Sequence, residues 1–338
     1  MTPMDPEQQS LFGGPAGVAE PPVVPAVQPS REVIEAAARL PKNLHFGTSS
    51  WSFPGWVGLV YARVHTESVL ARHGLSAYAQ HPLLRSVSLD SAFYRPLATE
   101  QFARYAADVP EDFRFIVKAY TGLTTSPQSA RAARLAGDPV FLDAEFATRA
   151  VVQPIVQGLG SKLGAILFQF SPLGPVYTQV PALFAQRLEP FLAALPAGPA
   201  YAVELRDAQL LGPQYERALA AAGAVHCVSV HSRMPSPQEQ VAADPGRGPL
   251  LIRWMLRPGD DYEAAGARYA PFDRLREPDE LSRGHIVRLI QNGLSSGRDV
   301  HVVAANNAEG SAPLTLIELA KSLSGAGNSL QRPAARGW

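Results

Sequence analysis

The sequence predicts one α/β domain, a TIM-like (β/α)8 barrel, and three observations predict it. Strand-like and helix-like stretches alternate from residue 43 to residue 323, the pattern of parallel β/α units. The strand-like stretches number eight, the count at which such units close on themselves. Nearly all of them have apolar bodies and end in polar or charged side chains. A barrel gathers those C-terminal ends at one mouth, where enclosed polarity must be partnered or must work. An open doubly wound sheet competes, but no Gly-x-Gly-x-x-Gly follows the first strand to support it.

Composition bounds the function. With 338 residues, 46% of them apolar, the chain can bury a full core. Thirty basic and thirty acidic residues cancel, so no global field draws in nucleic acid or membrane, and such a partner would need a local patch. The single cysteine, Cys227, excludes an intramolecular disulfide and fits a reducing compartment. The first 30 residues lack a basic start and an apolar run, and no apolar run reaches the roughly 18 residues of a membrane span. A cytoplasmic protein with no membrane partner is expected.

Taken in order, residues 1–42 read as a disordered tail, with prolines at 3, 6, 15, 21, 22, 25 and 29. Within it, Gln8-Gln-Ser-Leu-Phe12 resembles the short peptide with which bacterial DNA-processing proteins dock onto the sliding clamp. Gln8, Leu11 and Phe12 would be the docking residues, Leu and Phe anchoring in an apolar pocket; the alternatives are chance or packing back on the domain. The expected strands are Leu44 to Ser50, Ser86 to Phe93, Arg114 to Tyr120, Ala165 to Phe170, Ala200 to Arg206, Ala224 to Val230, Leu250 to Leu256 and Val300 to Asn306. Helical patterns lie at 67–80, 99–108, 142–158, 181–194, 213–222, 279–295 and 312–323, with none between the sixth and seventh strands. Long connections follow strands one, three, six and seven and would shape the mouth. Residues 324–338 read as a flexible tail.

The strand ends supply the chemistry. Lys118, Gln169, Glu204 and Arg253 lie inside otherwise apolar strands. In the fifth strand, alternation puts Tyr201, Val203 and Leu205 on one face and Ala202, Glu204 and Arg206 on the other. Glu204 reads as general acid or base, or as half of an internal ion pair with Arg206. Lys118, near apolar walls and Arg206, could have a lowered pKa and serve as Schiff-base nucleophile, base or anion clamp, or pair with Glu204 or Asp90. Arg206 and Arg253 suit two oxygens of a carboxylate or phosphate. Asn306-Asn-Ala-Glu-Gly-Ser311 opens a helix, a common phosphate seat in barrels, with Arg253 beside it. Ser50, Tyr94 and His231 stand at the rim, and Trp51 in the crowded first loop could stack on a flat ligand or plug the barrel. No cofactor is expected; one alternative has Asp90, Glu204, His231 and Asp207 holding a single divalent cation. The eight histidines show no zinc pattern.

Gly47-Thr-Ser-Ser-Trp51, Ser91-Ala-Phe-Tyr94, Phe113-Arg-Phe-Ile-Val-Lys118, Leu163-Gly-Ala-Ile-Leu-Phe-Gln-Phe170, Ala202-Val-Glu-Leu-Arg206 and Asn306-Asn307 resemble the domain of unknown function 72 family, YecE-like. The resemblance runs from residue 44 to 323 and implies a TIM-like barrel with functional positions at Trp51, Lys118, Gln169, Glu204, Arg206, Arg253 and Asn307, without assigning roles. Two departures stand out. Ser88-Leu-Asp90 replaces a Glu-Ile-Asn pattern, and Arg253-Trp-Met255-Leu256 replaces Arg-x-His-Gly.

Together these features suggest an enzyme doing acid-base chemistry on a phosphate-bearing substrate, with Glu204, Lys118 and Asp90 as catalytic residues. A nucleic-acid phosphodiester is one version. The alternatives are a Lys118-dependent lyase or aldolase, and a non-catalytic ligand-binding barrel tethered to the sliding clamp.

Overall fold

In the computed structural model, which describes residues 23–132 and 140–330, with side chains to residue 324, eight parallel strands close into a barrel. They are β1 Leu44–Thr48, β2 Leu84–Leu89, β3 Arg114–Lys118, β4 Leu163–Gln169, β5 Tyr201–Glu204, β6 Val225–Val230, β7 Leu250–Trp254 and β8 Val300–Ala304, paired in chain order with β8 returning to β1. All eight expected strands are present. Several end sooner than expected, as β5 does at Glu204 and β8 at Ala304, because their last residues leave the ladder to build the mouth.

Alternation sorts the side chains into two cores. Tyr201, Val203 and Leu205 join the large core between barrel and helices. Ile116, Ala165, Leu167, Ala202, Cys227, Leu251 and Val303 fill the barrel itself as an apolar layer. Register then aligns polar neighbours above that layer: Gln169 lies beside Glu204, and Ser229 beside Arg253.

The expected helices form, with differences that have local causes. Residues 67–80 break at Gly74 into Glu67–His73 and Leu75–Tyr78. The 142–158 pattern is a helix from Ala144 to Leu159 with a π-helical stretch at Ala147–Val152. Part of the expected tail is structured: Arg31–Ala38 is a helix, capped by Ser30 and burying Val33, Ala36 and Ala37. It packs on the last helix, Ala312–Leu330, which runs past the expected end at 323, and Lys321 pairs with Glu32 at 2.9 Å. Between β6 and β7, where no helix was expected, the capping box Ser236/Glu239 opens the short helix Pro237–Gln240. In the long connection after β7, Asp261 caps the unforeseen helix Tyr262–Tyr269. Among the described residues no helix is long and apolar enough to cross a membrane. Gln8, Leu11 and Phe12 lie outside the described residues.

Candidate active site

The inward positions at the C-terminal ends of β3, β5 and β7 bring Lys118, Glu204 and Arg253 into one cluster, joined by Arg206 just beyond β5. Glu204 has no exposed surface; its Oε1 contacts the Arg206 guanidinium and its Oε2 that of Arg253. The Arg206 contact is Coulombic rather than an aligned hydrogen bond, since Oε1 accepts none among the described residues. Arg253 Nη1 also donates to Gln169 Oε1 at 3.0 Å, and Arg206 Nη1 donates to Ser229 Oγ at 3.0 Å. Burial alone would raise the Glu204 pKa. The charges of Arg206 and Arg253, the hydrogen bond from Arg253 and the charge of Lys118 outweigh it and hold the carboxyl at about 2. Glu204 is therefore ionised at neutral pH, with no proton to give and little tendency to take one. The general acid or base expected there is instead the anchor that orients two guanidiniums.

Lys118 is 6% exposed, with Nζ 3.3 Å from Asp90 Oδ2 and 4.1 Å from the centroid of the Phe93 ring. Burial lowers its pKa; Asp90 and Glu204 oppose the shift, Arg253 adds to it, and the value stays below that of an ordinary lysine. The guanidinium that acts here is Arg253, where Arg206 was expected. Ser88 Oγ donates to Asp90 Oδ1 at 3.0 Å, so the serine that departs from the family pattern orients the carboxylate that holds Lys118. At the rim, burial and the charge of Arg206 push His231 down to about 4, leaving it neutral. Its Nδ1 accepts from the Arg233 N–H at 3.2 Å, which assigns the proton to Nε2 as a donor.

Other expected residues are committed elsewhere. Asn306 Oδ1 accepts from Trp56 Nε1 at 3.2 Å and from the Ala312 N–H at 2.9 Å, and Asn307 Nδ2 donates to the Tyr262 carbonyl at 2.9 Å. The expected phosphate seat after β8 is thus closed by the chain itself. Glu309 Oε1 takes the Asp279 N–H and Arg283 at 2.6 Å each, and a Cβ on Gly310 would lie 2.6 Å from the Arg274 carbonyl. Trp51 is buried, donates to the Leu70 carbonyl at 3.0 Å and meets Tyr105 edge-on, which makes it a plug rather than a free stacking surface. With Ser50, Ser88 and Asp90 it bounds a recess of about 160 Å3 beside the charged cluster. Tyr94 is 71% exposed. Asp207 turns away to accept the Leu173 N–H at 2.7 Å. Among the described residues no three His, Cys, Asp or Glu side chains converge as a metal-binding group, so Asp90, Glu204, His231 and Asp207 form no such set.

Three contributors escaped the sequence reading. Phe93 and Ser229 looked like ordinary strand residues. Tyr262 opens the helix after β7; the residue is exposed, yet its pKa is raised by partial burial and by Asp90, while Arg253 and Arg206 oppose. The Asp261 cap and the apolar spacing of Tyr262, Ala265 and Tyr269 were signals for that helix.

Known proteins share this architecture. A DUF72 family protein from Enterococcus faecalis superposes with a TM-score of 0.57 at 22% identity, over 83% of this chain and 95% of its own. A DUF72 family protein from Thermotoga maritima gives 0.55 at 21% identity, over 83% of this chain and 99% of its own. Among curated proteins none matches significantly. The family described as "Protein of unknown function DUF72" matches residues 45–337. With that match spanning most of the chain, the protein belongs to the DUF72 family.

Proposed function

We propose that the C-terminal mouth of the barrel is an enzyme active site for acid-base chemistry on a phosphate-bearing substrate. The supporting observation is charge. Among the described residues, Lys118, Arg206 and Arg253 pair with Glu204 and Asp90 alone, leaving one positive charge in a largely buried cluster. Enclosed net charge is costly and calls for a counter-ion, and guanidiniums already aligned by Glu204 match phosphate oxygens. Preorganised cations of this kind stabilise negative charge that develops during reaction. Lys118 carries the movable proton, because burial weakens its hold on it, and Asp90 keeps Nζ in place. Neutral His231 donates from Nε2 to an oxygen at the rim. A nucleic-acid phosphodiester is one member of this substrate class.

The test is a panel of phosphate mono- and diesters incubated with the full chain. Turnover is expected to rise with pH as Lys118 deprotonates and to fall by about 100- to 10,000-fold in Lys118→Met, the range for a general acid or base. Turnover that ignores Lys118→Met overturns the assignment. A second reading is favoured by the same lysine: an enclosed amine of lowered pKa is also a Schiff-base former. In that case borohydride with a carbonyl substrate leaves a stable adduct on Lys118, and the phosphate esters are untouched.

The docking peptide is a separate proposal, supported by sequence alone. Full chain is expected to bind a bacterial sliding clamp through Gln8, Leu11 and Phe12. Replacing Leu11 and Phe12 with Ala should abolish that binding, and undiminished binding would dismiss the peptide.

A further inference from the structure

The barrel has a second polar layer at its opposite end. His45 on β1 and His301 on β8 are register partners that stack inside the barrel, with centroids 4.8 Å apart and planes 16° from parallel. They are 6% and 3% exposed, and each has a buried Nδ1 with no hydrogen-bond partner among the described residues. The apolar layer around Ile116, Leu251 and Val303 separates them from the Glu204 cluster. Each buried polar atom left unpaired costs about 1–3 kcal/mol, and of the two rings only that of His301 also borders a cavity.

His301 lines a cavity of about 380 Å3 together with Arg114 and Asp299, walled by apolar residues such as Leu163, Ala200 and Pro249. That volume suits a small molecule. Gly164 keeps it open, since a Cβ there would lie 3.1 Å from His301 Cε1. Arg114 uses Nη1 on the carbonyls of Glu111 and Phe113 and makes no ion pair among the described residues, so its other donors are unspent. Asp299 sits exposed and screened at the rim. A shared metal does not fit. Parallel rings 4.8 Å apart cannot aim lone pairs at one ion with bonds of about 2.1 Å.

We propose that this N-terminal cavity is a second binding site, distinct from the mouth, for a small oxyanion held between the Arg114 guanidinium and an N–H of His301. Phosphate and carboxylate share that chemistry. Burial, with Arg114 adding to it, keeps His45 and His301 neutral, at about 4 and about 3. The charged groups acting on the pair are Arg114 and Arg85 on one side and Asp299 and Asp112 on the other.

The experiment is a thermal titration of the full chain with sodium phosphate and with sodium acetate, against sodium chloride at matched ionic strength. A rise in Tm is expected with phosphate, acetate or both, the pattern naming the ligand class. It should persist in the double variant Lys118→Met/Arg206→Met, which takes two of the three cations out of the mouth, and weaken at least about tenfold in Arg114→Met and His301→Gln. The His301 ring signals of the unmodified chain should move during the titration, a readout that needs no variant to fold. No effect beyond sodium chloride, a rise that survives Arg114→Met, or unmoved His301 signals overturns the site.

Discussion

Acidification from pH 7 toward pH 4 is expected to unfold this protein with an uptake of at least about four protons. His45, His81, His226 and His301 are each under 10% exposed, and burial lowers them to about 4, 4, 4 and 3 from 6.5. The unfolded chain binds protons at these rings below 6.5, whereas the fold refuses them until near 4. Between those values the unfolded state carries more protons, so stability rises with pH and is lost as pH falls. Each group contributes at most about 1.4 kcal/mol per pH unit, and four together about 5.5 kcal/mol per unit. A domain's whole stability is only about 5–15 kcal/mol, so a window of two to three units is enough to exhaust it. Denaturant unfolding at pH 7, 6 and 5 measures the slope. His301→Gln should reduce it by one proton, and a wild-type slope below one proton between pH 6 and pH 5 would mean the fold already accepts them.

The second large effect is at Glu204. Glu204→Gln removes the charge that neutralises two buried guanidiniums, and breaking such a pair typically costs about 3–5 kcal/mol. The residual repulsion between Arg206 and Arg253 should make the variant more responsive to added sulfate than the parent. Adding Arg253→Met to Glu204→Gln should recover part of the loss, because an apolar pair no longer leaves a charge unmatched. The pH signature has the same sign as that of the histidines but a lower window. With the folded value near 2 and the unfolded near 4.5, the stabilising contribution of Glu204 is complete above about 4.5 and disappears as pH drops toward 2. A loss under about 1 kcal/mol on Glu204→Gln would show that the carboxylate is not buried between two cations.

Particular residues show what could be read without coordinates. The alternation around Glu204 predicted its inward direction, and the polarity of Lys118, Gln169 and Arg253 inside apolar strands predicted a shared cavity. The inward direction holds, because side-chain direction in a strand follows from period-two geometry alone, and the polar heads meet as a buried cluster of charge pairs rather than around an open cavity. Asn306 and Asn307 show the opposite. Their position after β8 suggested a phosphate seat, yet Trp56 and Tyr262, 250 and 45 positions away, claim their side chains. The proton state of Glu204 was equally hidden, since it depends on Arg253, 49 positions distant.

The sequence by itself determined the eight-stranded α/β pattern, the faces of the strands and the family, all of which rest on local periodicity and motif order. Only the tertiary structure decided which polar ends meet: Glu204 with two arginines, Lys118 with Asp90 and Phe93, and His45 with His301 at the far end. Those partnerships arise from register and closure around the barrel, and they set the burial and the neighbouring charges that give each group its chemistry.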